Sequence, residues 1–381
     1  MTRGTGVAMG FGRVGASPLA LRGREWLTFA AMKAGDLRHL ALRGLRNWAQ
    51  RSERSYLVFM AIVVGLAMGV VSTLFRALLL WSHHFFSDAR HAEHGATGWQ
   101  LALQVLMPAI GGFVVGLTIY KILQLKGGHG VPSVMKAVAT GQVNLPWSMA
   151  IKSSTAPVTI GTGGSAGPEG PIVEIGAVVG SSVGSYARVP KDQMGTLVGC
   201  GAAAGLAAVF NAPLGAVVFA LELIMRDFTV RKFAPIVLAA VVASVTASAL
   251  MPNHPVFHRL DQTVLNTIET SGFLIVQFLG LGVVCGLMGV LLTTTLYWVH
   301  DLFTAVKVPM WIKPAIGGLF IGMIGLWFPE AIGEGYESVN ELILERGFVD
   351  KAVPLAGMLL LLGLLKVLAT SLTLGSRGTG G

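Results

Sequence analysis

Residues 161–176 read GTGGSAGPEGPIVEIG, and the fold turns on how this run is understood. A single carboxylate, Glu169, stands between Gly167-Pro168 and Gly170-Pro171, with apolar segments on either side. An ionisable group at membrane depth is costly, therefore rare, and by default marks function. Glycine lets a backbone approach a ligand closely. The run opens into an apolar helix, IVEIGAVVG (172–180). A helix N-terminus is a ready-made anion site, because unpaired N–H groups and the helix dipole point the same way. A carboxylate at the same place competes with an anion for it. This stretch suggests an anion pathway with an acidic gate built into it.

The rest of the chain supports a bilayer setting. Of 381 residues, 53% are hydrophobic and 12% charged, with a mean hydropathy of +0.68. Soluble domains carry roughly 25% charge, so the composition argues for a polytopic membrane protein and against an aqueous enzyme. Fifty glycines suit close helix packing and broken helices in lipid. The formal charge is +9, and residues 1–54 hold ten Lys/Arg against three acids, a net +7. A basic stretch before the first long apolar segment places the N-terminus in the cytoplasm. It explains the charge without invoking nucleic acid. Within it, Leu37, Ala41, Leu45 and Trp48 fall on one helical face and His39, Arg43 and Arg46 on the other, a pattern suited to an anionic membrane surface. Two cysteines, Cys200 and Cys285, make no disulfide framework and read as small buried residues.

Long apolar segments fall at 56–82, 99–123, 193–225, 233–251, 273–299, 312–328 and 353–374. The first and fifth have 27 residues, about 40 Å as helices against a hydrocarbon core of about 30 Å; they must tilt or project. The stretches 131–139, 148–160 and 171–186 are shorter and cut by Gly and Pro, as half-helices ending inside the membrane would be. Such backbone is tolerated only where protein or a water-filled cavity surrounds it.

The chain repeats itself. Pro108-Ala109-Ile110-Gly111-Gly112 returns as Pro314-Ala315-Ile316-Gly317-Gly318, an offset of 206. GHGVPSVMKAV (128–138) aligns with GEGYESVNELI (333–343) at offset 205, with four of eleven identical. KSSTAPVTIGTGGSAG (152–167) aligns with KVLATSLTLGSRGTGG (366–381) at offset 214, with five of sixteen identical. Three matches in one order predict two structural copies, and inverted repeats of broken helices are a transporter signature. The expected division is a basic cytoplasmic segment with an amphipathic helix (1–54), a first transmembrane repeat (55–251), a connecting loop (252–272) and a second repeat (273–381). On this alignment Gly381 matches Gly167, so the second repeat reads as incomplete and the chain as C-terminally truncated.

These residues resemble the CLC family of chloride channels and chloride/proton antiporters. The family's GSGIP-like motif appears as Gly128-His129-Gly130-Val131-Pro132, and its GREGP-like motif as Gly167-Pro168-Glu169-Gly170-Pro171. The context GAAAGLAAVFNAPLGAVVFALE (201–222) is also family-like. The likeness covers about 55 to 381. It implies an all-α polytopic membrane protein built as a CLC-type inverted repeat of tilted, broken and re-entrant helices. It also implies that these two motifs line an anion-selective filter and that Glu169 is the gate, blocking the path when ionised and leaving it when protonated. The family's third filter motif would begin at Gly380-Gly381.

Three departures qualify the resemblance. His129 stands where the family usually has serine; either its ring donates to the anion, or it points away and backbone N–H groups serve alone. Pro168 replaces a basic residue and removes both a charge and an N–H donor. Aligned through Asn211-Ala212-Pro213-Leu214, the internal proton-glutamate position is Leu223, next to Glu222, and leucine carries no proton. Glu174 is either a substitute relay or a hydrogen-bonded structural carboxylate. Lys152 and Lys366, matched by the repeat, read as snorkelling or helix-end charges. His83, His84, His91 and His94 read as a solvated loop rather than a metal site.

The resulting expectation is chloride transport, passive or proton-coupled, by a homodimer in the cell membrane, with lipid as its surroundings. No enzyme activity, cofactor, metal or nucleic-acid partner is expected. Run Gly201–Gly205 suits close helix packing, with dimerisation one use of it. Rival readings are a fluoride- or nitrate-selective variant and a non-conducting regulatory subunit. A dinucleotide-binding enzyme using GTGGSAG is a further class, but that motif needs a preceding strand, a following amphipathic helix and an acidic residue about 20 positions on, and residues 186–192 offer only Asp192, after a membrane-like helix.

Overall fold

The computed structural model describes residues 53–90, 98–125, 130–252, 272–336, 338–340 and 352–380. Basic segment 1–52, His91, His94, Gly128, His129, loop 253–271 and Gly381 therefore lie outside the described residues. The chain divides into Met1–Tyr56 and Leu57–Gly381, and the second unit holds both repeats.

Every described element is helical. In chain order they are α1 (Glu53–Arg90), α2 (Gly98–Gly116), α3 (Val131–Ala139), α4 (Trp147–Ser153), α5 (Ala156–Gly161), α6 (Glu169–Tyr186), α7 (Lys191–Phe210), α8 (Pro213–Phe219), α9 (Val230–Leu250), α10 (Gly272–Ala305), α11 (Lys313–Trp327) and α12 (Ala352–Gly375). Wider π-helical turns extend α2 over Leu117–Ile122 and α8 over Ala220–Met225. Among the described residues, six helical stretches are long and apolar enough to cross a membrane: Ser55–Phe86, Gly98–Ile122, Lys191–Phe210, Val230–Leu250, Leu274–Ala305 and Gly357–Gly375.

Several sequence expectations change. Segment 193–225 is two helices, because Asn211 adopts a left-handed conformation (φ 51°) that ends α7, and Pro213 starts α8. The Asn211 side chain holds that break by accepting from Ser244 Oγ of α9 at 2.6 Å. Segment 148–160 is likewise broken at Ser154-Thr155 into α4 and α5. Helix α1 has 38 residues, about 57 Å of length, because it continues past its apolar stretch. It carries His83 and His84 in its closing turns, where the sequence reading had a loop. Cys285 is exposed on α10 rather than buried, while Cys200 is buried.

The repeat is visible as a two-fold contact. Helices α2 and α11 pack through glycine against backbone. A Cβ on Gly112 would strike the Pro314 carbonyl, and a Cβ on Gly318 would strike the Pro108 carbonyl. Gly116 faces the carbonyl of Trp311, and Gly322 that of Val105. The order runs 105 with 322, 108 with 318, 112 with 314 and 116 with 311, so the equivalent helices are antiparallel. Reciprocal contact is the mark of a two-fold relation. Between two apolar helices that run in opposite directions, it is the relation expected of an inverted repeat.

Flanking contacts obey the same relation. Gly111 packs on Thr162 and Gly317 on Ser376, its counterpart at offset 214. Thr159 shares a 2.9 Å hydrogen bond with Thr379, and Ser165 N–H donates to Thr373 Oγ1 at 2.9 Å. Under the offset Thr159 matches Thr373 and Ser165 matches Thr379, so these two ties are images of each other. Ala166 and Gly380, also equivalent, meet each other.

Candidate functional site

Glycine-rich run 161–168 ends on Pro168, the N-cap of α6, and Glu169 is the first helical residue. Ile172 N–H is taken by the Pro168 carbonyl at 3.0 Å, and Pro171 has no N–H. The amides of Glu169 and Gly170 are thus those left at the helix start. Half-buried, the Glu169 side chain folds back over its own N-terminus. Its carboxylate lies where a Cβ on Gly167 would stand. This close approach is what requires glycine at 167.

The carboxylate does not sit alone. Tyr336 donates its hydroxyl to Glu169 Oε1. The Tyr336 ring meets Phe210, the last residue of α7, edge to face at a centroid distance of 6.3 Å. Backbone contacts hold Tyr336 in place. Gly333 N–H donates to Gly163 O at 3.2 Å, and Lys366 Nζ donates to Gly333 O at 2.6 Å. Gly335 then turns through a left-handed conformation (φ 86°), and Val339 N–H closes a helical turn on Gly335 O at 3.2 Å. Lys366 is therefore no snorkelling cation; it points inward and ties a glycine loop beside Glu169.

Lys152, its repeat counterpart, is buried, within electrostatic reach of Glu174, whereas Lys366 is half-buried. Glu174 is fully buried one and a half turns into α6. Gly130 N–H and Ser153 Oγ donate to its Oε2, and Ser133 Oγ donates to its Oε1 at 2.8 Å. It caps the start of α3, whose N-cap Gly130 has φ 75°. Glu174 is thus a hydrogen-bonded carboxylate, with three donors and a neighbouring ammonium. Within the first motif, Gly130, Val131 and Pro132 form the entry to α3, and the Gly130 amide is engaged by Glu174 rather than free for an anion.

The small-residue run 201–205 packs inside the subunit. Gly176 of α6 and Gly201 of α7 face each other's carbonyls, and Gly205 lies on Ile172 O. This contact holds α6, and with it Glu169, against α7; it is not a surface for another copy.

A family model described as voltage gated chloride channel matches residues 111–381. The chain belongs to the voltage-gated chloride channel family. It is 29% identical over 328 residues to a putative chloride channel protein ClcB-like from Ralstonia nicotianae, covering 84% of this chain and 73% of that one. It is 27% identical over 330 residues to the voltage-gated ClC-type chloride channel ClcB of Escherichia coli, covering 85% and 76%. Among solved structures it resembles a slow cyanobacterial Cl-/H+ antiporter (TM-score 0.71, 20% identity, 85% of this chain and 75% of that one). It also resembles a CLC-type fluoride/proton antiporter (TM-score 0.68, 24% identity, 86% and 77%). At these identities the likeness shows the fold.

Set in the CLC fold, the remaining candidate residues fall as follows. Glu222 and Leu223 lie in the π-helical turn after α8, both exposed, and neither approaches Glu169 through any contact described. Glu169, Gly167, Pro168, Gly170 and Pro171 come together with Gly163 and the 333–336 loop of the other repeat. Sequence reasoning missed Tyr336. The signal was present, because the repeat alignment sets Tyr336 opposite Val131, a polar-tipped ring opposite an aliphatic residue. No rule of spacing assigns that hydroxyl to Glu169.

Proposed function

We propose that this CLC protein passes chloride or a closely related anion across the membrane, past a gate formed by Glu169. One observation carries the reading: the carboxylate of Glu169 occupies the N-terminus of α6 and accepts a hydroxyl donor there. Those are the groups a bare anion would seek. Ionised, Glu169 fills the place of the anion and closes the path. Protonated, it loses the attraction of the helix terminus, and an anion displaces it. Gly167 gives the side chain room to lie in the closed position.

Transport is read as passive. Leu223 has no exchangeable proton, and Glu174 is held by its own donors and away from the helix terminus. Chloride is the expected ion, and the working unit is a homodimer in the cell membrane with a cytoplasmic N-terminus. Apolar side chains exposed on α8 and α9, among them Leu214, Val218, Phe233 and Val245, face lipid or the second subunit.

Liposome efflux tests the proposal. Chloride efflux should rise as pH falls, because protonation removes the blocking charge. Glu169→Gln, a carboxylate without its charge, should keep efflux high and flat with pH. An imposed proton gradient should drive no chloride uphill. An unchanged pH profile in Glu169→Gln removes the gate assignment, and absence of efflux from the reconstituted protein favours the non-conducting reading.

A further inference from the structure

We infer that the Tyr336 hydroxyl is an anion-coordinating donor, shared in turn by the Glu169 carboxylate and by the anion that replaces it. This rests on the gate reading above and adds a residue to the site. The argument starts from chemistry. A carboxylate and a halide ask for the same thing, N–H or O–H groups directed at a negative charge in a place with little water. At the start of α6 the backbone offers few such donors, since Pro168 and Pro171 have no N–H and Ile172 N–H is bonded to Pro168 O. Tyr336 brings an additional donor from the opposite repeat, and its hydroxyl is bonded to Glu169 Oε1. When the carboxylate leaves, this half-buried hydroxyl faces the emptied position.

The donor is well fixed. Its loop is tied to the run before α6 through Gly333 and Gly163, and to α12 through Lys366. Its ring is braced by Phe210. The charges about it are Glu334 of its own loop and, within electrostatic reach of Glu334, Lys366 of α12 and Arg76 of α1. A held donor costs little ordering when an anion arrives. The repeat shows what is special about it. Val131, in the equivalent place at the start of α3, has no donor to offer, and there the helix entry is capped by the protein's own Glu174.

A hydroxyl donor also implies a preference among anions. It favours small, strongly accepting anions such as fluoride and chloride, and gives little to thiocyanate, which binds mainly by dispersion. A hydrogen bond to a charged group is worth about 1.5–3 kcal/mol, which is about tenfold or more in affinity.

The test is calorimetric anion binding to purified protein in which Glu169→Ala has removed the occupant, with and without Tyr336→Phe. Chloride and fluoride binding should weaken about tenfold in the double variant, with thiocyanate binding changed by less than about twofold, and the melting temperature should stay within a few degrees. Equal weakening of all three anions with a lower melting temperature would mean that Tyr336 only supports the fold, and unchanged chloride affinity would mean that it does not touch the anion; either overturns the inference. The gate reading is judged separately by the pH profile of Glu169→Gln efflux, so one can fail while the other stands.

Discussion

Two carboxylates five residues apart on one helix have opposite surroundings. Glu169 lies at the helix start, half-buried, with one side-chain donor from the far repeat. Glu174 lies inside, with three donors and the Lys152 ammonium nearby. A group meant to move should be held by few bonds, and a group meant to stay by many. Replacing Glu174 by alanine would leave the buried Gly130 amide and the Ser153 hydroxyl without the acceptor they share. Each buried donor left unsatisfied costs about 1–3 kcal/mol. Glu174→Ala should therefore unfold at clearly lower temperature in detergent, with Glu174→Gln in between because it keeps an acceptor oxygen. At Gly167 the expected outcome is functional. Gly167→Ala sets a methyl where the Glu169 carboxylate rests, so the gate should be displaced and efflux at alkaline pH should rise towards that of Glu169→Gln. Size-exclusion profiles matching the parent would show that the fold survives the change.

At the scale of elements, interruptions place the chemistry. Helices α3 and α6 both begin inside the unit at a glycine or proline. Each start needs a partner for its orphan N–H groups. For α3 that partner is Glu174; for α6, on the proposed mechanism, it is the Glu169 carboxylate and in turn the anion. The breaks at Asn211 and at Ser154-Thr155 keep the neighbouring elements α8, α4 and α5 short. At the second break the Thr155 hydroxyl shares a 3.1 Å hydrogen bond with Thr379 of the other repeat.

At the scale of the molecule, the α2–α11 contact joins the repeats and sets where the two loops meet. Glycine in a helix interior costs about 1 kcal/mol relative to alanine, so on propensity alone Gly112→Ala and Gly318→Ala should each stabilise. The structure predicts the reverse, because each Cβ would meet a carbonyl of the facing helix with no room to yield. Overpacking of this kind costs about 1–3 kcal/mol, which outweighs the propensity gain. The two variants should lower the melting temperature by similar amounts, since the two-fold relation makes the sites equivalent. A large difference between them would contradict the symmetry.

The class of protein was legible from the residues alone. Low charge and long apolar segments require a bilayer, and a backbone in a bilayer must be helical or a closed barrel. PAIGG at 108–112 and 314–318 announced the repeat, and a lone carboxylate among glycines marked the residue proposed as the gate. Other features came only from the tertiary structure. Lys152 and Lys366 read as cations reaching for water, yet both turn inward, because burial depends on neighbours that no local pattern records. Run Gly201–Gly205 read as a packing surface of undecided partner, and its partner is α6. Tyr336 lies 167 residues from Glu169. Composition and periodicity describe what a segment prefers by itself, whereas a hydrogen bond across two repeats exists only once an antiparallel two-fold contact has brought their loops together.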